Sequence, residues 1–155
     1  MYELTLAIHN LLRWAVVLTG LAVVVRAAGG LSSTRDWTDQ DDAGARWFSL
    51  SMNLQFLVGL AMYLWISPIA KTAMADMGSA MKDAALRFWA VEHVTMMMLA
   101  LGLVHMGRAR VKKSAASGKH KAALIFFGLA LVFVALGTPW PWSAQARPWL
   151  RILAF

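Results

Sequence analysis

The stretch "RFWAVEHVTMMMLALGLVHMGRAR", residues 87–110, decides the fold class. Its centre is apolar and long enough to cross a membrane, because a bilayer core of about 30 Å needs roughly 20 mostly apolar residues per helix. The same stretch carries Arg87, Glu92, His93 and His105. Ionisable side chains within a span are costly in lipid, so these residues are candidates for a functional site.

The composition favours a membrane protein of one domain. Of the 155 residues 59% are hydrophobic and eight are Trp, which is more apolar than soluble domains of this length. The absence of Cys excludes disulfides, Cys-ligated zinc and iron–sulfur clusters, so a metal must be held by His, Met or carboxylate. The formal charge of +7 falls mostly between apolar runs, which fits lipid headgroups and topology, and we expect no nucleic-acid partner.

Four segments predict an all-α integral membrane four-helix bundle. The spans are predicted at about residues 4–28, 47–69, 84–106 and 120–138, followed by a Trp-rich interfacial tail over residues 139–155. Nine Lys and Arg residues lie near the helix ends on one side of the predicted bundle and five on the other. The positive-inside rule therefore predicts that both termini lie on the outer, periplasmic side.

The predicted topology places the four histidines at two depths. At 1.5 Å per residue His9 lies about 8 Å and His93 about 13 Å below the outer helix ends, while His105 and His120 lie at the inner ends. His93 and His105 are twelve positions apart, so they point about 120° apart and cannot share a partner. The spacing predicts two separate sites, with His93 facing the first span and His105 facing the fourth.

Haem iron accepts two axial imidazoles, and the core of a helical bundle is a usual place for such a site. We therefore predict two haems b, one held by His9 and His93 and the other by His105 and His120. Two haems at this spacing would carry electrons across the bilayer.

Charged and polar neighbours extend the predicted sites. Candidate counter-charges for haem propionates are Arg13 and Arg87 on the outer side and Arg108 and Arg110 on the inner side. Arg13 lies near mid-bilayer, where an unpaired charge costs at least about 3 kcal/mol, so it needs Glu92 or a cofactor carboxylate as partner. Gln55, also near mid-bilayer, needs an interior partner.

Other interpretations of these residues stay open. His105 and His120 are also typical of interfacial or solvated helix ends, and Arg13 with Glu92 of a structural ion pair. The run "TMMML" at 95–99 fits core packing, or with His93 a copper site or a His/Met haem. A quinone headgroup near Arg13 and Glu92 is another candidate. No Gly-rich phosphate loop, Ser elbow or HExxH motif is present, and the sequence leaves open whether the chain is an enzyme.

The order of several motifs resembles a known family. The motifs are "HNLLRW" at 9–14, "LQFLVGLAMYL" at 54–64, "RFWAVEHVTMM" at 87–97, "HMGRAR" at 105–110, "KHKAALIFFGLAL" at 119–131 and "PWPW" at 139–142. Together they resemble small four-span bacterial membrane proteins labelled cytochrome b or cytochrome b-like, over nearly the whole chain. The family's patterned positions fall on His9, Arg13, Trp14, Gln55, Arg87, Glu92, His93, His105 and His120.

The resemblance implies a haem-containing electron carrier of the bacterial inner membrane. The expected partners are the lipid bilayer and a quinol pool or a partner redox subunit, with the chain acting as a homo-oligomer or as a subunit of a larger membrane complex. The alternatives are a cofactor-free accessory or assembly subunit and a copper- or quinone-binding membrane protein.

Overall fold

The computed structural model describes residues 1–150, and helices are the only regular secondary structure in that range. This confirms the predicted all-α class. The elements in chain order are α1 (Tyr2–Ser32), α2 (Asp39–Ala61), a first π-helical turn (Met62–Ile66), α3 (Pro68–Ala75), α4 (Met77–Ala80), α5 (Ala84–Arg87), a second π-helical turn (Phe88–Glu92), α6 (His93–Lys113) and α7 (Ala116–Gly137).

Four helical segments are long and apolar enough to cross a membrane, as the sequence predicts. They are Tyr2–Ser32, Asp39–Ile66, Ala84–Lys113 and Ala116–Gly137. The first segment extends beyond its predicted span at both ends, and the third begins at the predicted residue but ends later. The second and fourth segments begin earlier than predicted and end slightly earlier, at Ile66 and Gly137. The second ends there because Ser67 caps a new helix with Pro68 at its first position, where the missing N–H costs nothing. The segments are consistent with a multi-pass membrane protein.

The four long helices form a ring in the order α1, α2, α6, α7, so that α1 and α6 lie diagonally across the bundle. Phe48 of α2 and Phe127 of α7 meet edge to face at the centre, with ring centroids 5.7 Å apart. Small residues and valines from all four helices complete this core, which leaves the larger aliphatic side chains on the outside of the bundle. The outward-facing leucines fit a lipid environment.

The bundle has two ends of different character. The terminal end is where α1 begins at Tyr2 and α7 ends at Gly137, and the basic end is where α1 ends at Ser32 and α7 begins at Ala116. After Gly137 the tail, residues 138–150, folds back onto α1 at the terminal end. The predicted interfacial tail covers residues 139–155, and its last five residues lie outside the described range.

A buried carboxylate organises the basic end. Asp41 is 1% exposed and accepts hydrogen bonds from Arg26 Nε at 2.9 Å and from both terminal nitrogens of Arg35 at 2.6 and 2.8 Å. It also forms a capping box with Thr38, whose backbone N–H and hydroxyl both donate to Asp41. The bond to Asp41 raises the pKa of Arg35. The network ties the end of α1 and its loop to the start of α2.

Close packing of α6 on α7 depends on a glycine. A Cβ at Gly107 would lie 2.7 Å from Cε1 of Phe127 and 2.9 Å from Cβ of Phe126, whereas a Cβ at Gly102 would meet nothing within 4 Å. Phe127 is fully buried, so it has little room to move. The two glycines of one helix therefore differ in what they allow.

We expect Gly107→Ala to lower the stability of the detergent-solubilised protein by about 1–3 kcal/mol, the usual cost of overpacking. The control Gly102→Ala should be neutral or should stabilise by up to about 1 kcal/mol, since Ala favours helix over Gly. Thermal unfolding followed by tryptophan fluorescence measures both. Equal effects of the two substitutions would contradict this packing.

Candidate cofactor site at the terminal end

Two histidines from diagonal helices meet near the terminal end of the bundle. His9 of α1 and His93 of α6 have ring centroids 6.3 Å apart, with the ring planes nearly perpendicular at 75°. The prediction that these two histidines share one half of the bundle is confirmed. Phe88 and Trp89 lie beside the His93 ring, with centroids 5.9 and 5.6 Å away, and they complete an aromatic wall.

Hydrogen bonds hold both imidazoles in the same tautomer. His93 Nδ1 lies 2.7 Å from the backbone oxygen of Gly137, so this nitrogen donates and Nε2 carries the lone pair. Nε2 of His9 lies 3.3 Å from the amide nitrogen of Gln55, which only donates, so Nε2 accepts. The predicted need of Gln55 for an interior partner is met by His9. Both rings therefore present Nε2 as the acceptor nitrogen, which is the form that binds a metal.

Two π-helical turns border the site. The first contains Tyr63, whose hydroxyl donates to the backbone oxygen of Ala90 in the second turn at 2.8 Å. His93 follows the second turn directly, so the turn sets the direction of its ring. Such turns are rare and occur often at functional sites. The sequence carries no signal for the second turn.

A cavity of about 120 Å³ lies at this site. Its walls come from α1, α2, α3, α6, α7, both π-helical turns and the tail, and they are mostly apolar, with polar side chains that include His9, Arg13, Gln55, Tyr63, His93 and Arg147. Three polar atoms of these residues are buried without a hydrogen-bond partner, namely His9 Nδ1, Arg13 Nε and Gln55 Oε1. Unsatisfied buried polar atoms are rare in native proteins, so their convergence on one cavity points to a ligand.

Arg13 does not pair with Glu92, so that predicted partner is wrong. Its guanidinium is buried and donates to the backbone oxygen of Trp149 at 2.6 Å and that of Pro148 at 3.4 Å. Trp14 donates to the same Trp149 oxygen at 2.8 Å and stacks on the Trp149 ring. The tail thus supplies carbonyl oxygens to Arg13.

Glu92 instead pairs with Arg87, with Nε and Oε1 2.8 Å apart. In an α-helix residues five apart point about 140° from each other, but the wider π-helical turn between them brings these two side chains together. Because Glu92 neutralises Arg87, the predicted role of Arg87 as counter-charge for a propionate has weaker support than that of Arg13 or of Arg147, which lies over the Trp89 ring at 5.1 Å.

The predicted direction of His105 is wrong. Its Nε2 bonds to the side-chain oxygen of Asn53 on α2 at 3.0 Å, and it does not face α7. His120 is buried against α1, where its ring packs on the backbone of Gly30, and it lies 5.1 Å from the Trp37 ring. Both ring nitrogens of His120 are buried without a partner. The two histidines of the basic end thus contact different elements.

The basic residues predicted for an inner haem have other surroundings. Arg108 donates to Asp42 at 3.1 Å, and Asp42 also pairs with Arg46. Arg110 is exposed in the last turn of α6. Within residues 1–150 no group of three or more His, Asp or Glu side chains is placed to hold a metal ion.

Tyr63 and Arg147 belong to the cavity but were not singled out from the sequence. "LQFLVGLAMYL" contains Tyr63, yet a Tyr near a helix end is also typical of an interfacial anchor. Arg147 lies in the tail, and its place in the cavity depends on the tail folding back. Composition gives no signal for that fold.

No protein-family model, curated protein or solved structure matches this chain. The fit of a cofactor is therefore judged on the residues alone. The 6.3 Å between the ring centroids leaves room for one metal ion, as each metal–nitrogen bond to His is about 2 Å long. The lone pairs on both Nε2 atoms and the Gly137 carbonyl that orients His93 match a bis-histidine haem, in which outer hydrogen bonds fix the ligand rings.

The cavity volume sets a condition on a haem. At about 120 Å³ it is close to a cavity of about 150 Å³ that holds one benzene ring, so the macrocycle has to displace part of the wall. The tail contributes Thr138, Pro139 and Arg147 to this wall. A haem would also require His9 Nε2 to give up its hydrogen bond to Gln55.

Proposed function

We propose that this chain is a membrane electron carrier that binds one haem b at the terminal end, where His9 and His93 would hold it. The observation that carries the proposal is that two imidazoles from diagonal helices lie with their ring centroids 6.3 Å apart, each with Nε2 in the acceptor form. A bound haem would supply reversible one-electron chemistry at its iron. The proposal includes one haem, because His105 and His120 contact different elements.

The chain's own residues would do three things for that haem. Gly137 orients His93 through its carbonyl oxygen and raises the basicity of the ligand nitrogen. Gln55 donates to His9 Nε2 and positions this ring, and it would release that nitrogen for a haem. Arg13 and Arg147 supply positive charge at the cavity for the acidic groups of the haem.

We propose a bacterial inner membrane as the location of this carrier. The basic end, with its excess of Lys and Arg, would face the cytoplasm in a bacterial inner membrane, so the haem would lie in the outer half. A quinol in the bilayer or a partner redox subunit would supply the electrons, in a homo-oligomer or a larger complex.

The test is a reduced-minus-oxidised optical spectrum of the protein purified in mild detergent from cells that make haem. We expect a b-type α band. A colourless, monodisperse protein that copurifies with larger membrane subunits would contradict the haem and favour a cofactor-free accessory subunit. Metal analysis of the same sample, with iron and copper measured together, separates a haem from a copper site at His93.

A quinone headgroup is a second candidate, and the cavity volume favours it. A space of about 120 Å³ fits a single ring, and the unpaired atoms His9 Nδ1, Arg13 Nε and Gln55 Oε1 offer two donors and one acceptor to quinone or quinol oxygens. Organic extraction of the purified protein, followed by chromatography, distinguishes the candidates. Stoichiometric quinone without haem would select this one.

A further inference from the structure

The tail covers one side of the cavity that His9 and His93 share. It contributes Thr138, Pro139 and Arg147 to the wall, while the other walls come largely from the helices and the two π-helical turns. Segments outside regular helices open at a lower free-energy cost than packed helices do. The tail is therefore the part of the wall that can move with least disturbance to the bundle.

The tail is a compact loop whose two ends are tied together. The Arg147 N–H donates to the Pro139 oxygen at 3.2 Å. Within the loop the N–H and the hydroxyl of Ser143 donate to the Trp140 oxygen at 2.9 and 2.8 Å, and the Ala146 N–H donates to the Ser143 oxygen at 3.1 Å. Because these bonds are internal to the tail, the loop can move as one body.

Two side chains of α1 hold this loop against the bundle. Arg13 Nη2 and Trp14 Nε1 both donate to the Trp149 oxygen, at 2.6 and 2.8 Å. The Trp14 ring also stacks on the Trp149 ring, with centroids 5.7 Å apart. Asn10 and Arg13 add longer bonds of 3.4 Å to the Pro148 oxygen. The attachment of the tail to α1 is thus concentrated at two neighbouring backbone oxygens.

The attachment contains no ion pair. Within residues 1–150 no carboxylate pairs with Arg13, so its guanidinium holds the tail through neutral carbonyl oxygens alone. Arg147 adds only a cation–π contact over the Trp89 ring at 5.1 Å. Arg13 also lines the cavity, and its Nε is buried there without a partner. The residue that fastens the tail is therefore in contact with the space that a ligand would fill.

The outer face of the tail suits the membrane interface. Trp142 is 71% exposed and Trp149 is 48% exposed, and both rings cluster with Trp140 at centroid distances of 5.2 to 5.8 Å. Exposed tryptophans anchor a protein at the level of the lipid headgroups. The loop thus lies between the cavity and the interface, and its opening would connect the two.

We propose that the tail is a lid over the cavity, that Arg13 and Trp14 hold it closed, and that a ligand enters from the membrane interface when the lid opens. The lid deepens the proposed function by giving its site an entrance. It rests on that function only for the identity of the ligand, since a haem and a quinone headgroup would pass the same loop.

The test is the rate at which N-ethylmaleimide modifies a single cysteine in the cavity of the full-length protein, purified in mild detergent without added ligand. The chain has no native Cys, so each engineered thiol is the only one present. Val16→Cys places a thiol behind the lid, because Val16 lines the cavity and is 1% exposed. Leu18→Cys, on the same helix and 62% exposed, is the matched control thiol.

Each thiol is combined with a substitution that weakens the hold on the tail. The Val16→Cys thiol should react at least about tenfold faster with Arg13→Gln, which loses a charged donor, and about threefold faster with Trp14→Phe, which loses a neutral one. Trp47→Phe is the same aromatic substitution on an exposed face of α2 and should leave the rate unchanged. The Leu18→Cys thiol should react equally in every background.

An unchanged Val16→Cys rate in both Arg13→Gln and Trp14→Phe would overturn the lid. An equal rise with Trp47→Phe would overturn it as well, and so would a Val16→Cys thiol that reacts as fast as Leu18→Cys in the parent protein. Trp14 does not line the cavity, so Trp14→Phe decides the question if Arg13→Gln fails to fold or widens the cavity itself.

The optical spectrum of the same parent protein reports on the haem independently. A colourless protein whose Val16→Cys thiol is protected until Trp14 is substituted would overturn the haem and support the lid. A protein with a b-type α band whose thiol rate ignores both α1 substitutions would support the haem and overturn the lid.

Discussion

His93→Ala should purify without haem, while His105→Ala should keep its haem. Both histidines lie on α6, but only His93 faces His9 across the cavity, whereas His105 is exposed and bonds to Asn53. His9→Ala should lose the haem as well. The b-type α band per mole of protein measures all three variants, and size-exclusion chromatography in detergent shows which of them fold.

Imidazole rescue keeps this prediction testable if His93→Ala is unstable. Free imidazole in the growth medium and buffers can enter the space that the alanine leaves and ligate the iron, so the α band should return in a concentration-dependent way. Full haem content in His93→Ala without imidazole would contradict the assignment of His93. Loss of haem in a well-folded His105→Ala would contradict the assignment of one site to the terminal end.

The second large effect is expected at Asp41, on the opposite end of the bundle. Asp41→Asn keeps the shape of the side chain but removes the charge that Arg26, Arg35 and Thr38 share, so at least one buried donor or acceptor loses its partner. We expect the free energy of unfolding to fall by roughly 2–3 kcal/mol, because Asp41 is buried while its arginine partners are partly exposed.

Asp42→Asn is the matched control for this prediction. It sits next in sequence and pairs with Arg46 and Arg108, but its side chain is 36% exposed, so the loss should stay below about 1 kcal/mol. Thermal unfolding of both variants in the same detergent gives the comparison. A larger loss in Asp42→Asn than in Asp41→Asn would contradict the account of the basic end.

The spans and the pairing of His9 with His93 could be predicted from the sequence because each depends on one regular quantity. Hydropathy over a helix length locates a span, and the fixed rise per residue gives the depths of His9 and His93. The angle between His93 and His105 could also be predicted from their spacing. The partner of His105 could not be predicted, because α6 lies between α2 and α7 in the ring and the angle alone does not say which neighbouring helix each side chain contacts.

Other features depend on irregular backbone that composition does not reveal. The π-helical turn at Phe88–Glu92 changes the direction in which the following side chains point. Glu92 therefore pairs with Arg87, whereas a regular α-helix would direct the two side chains apart. The partner of Arg13 is a backbone oxygen of a tail whose Trp content indicated only an interfacial position. The structural role of Asp41 could have been predicted from the sequence, because Thr38 and Asp41 have the spacing of a capping box at the start of α2.

The number of haems per chain tests the central claim most directly. It is measured on the wild-type protein by the pyridine haemochrome assay together with quantitative amino-acid analysis. One haem b per chain is the predicted result, because one pair of histidines faces across the bundle and the histidines of the basic end contact different elements. A ratio of zero would contradict the haem, and a ratio of two would contradict the single site of His9 and His93.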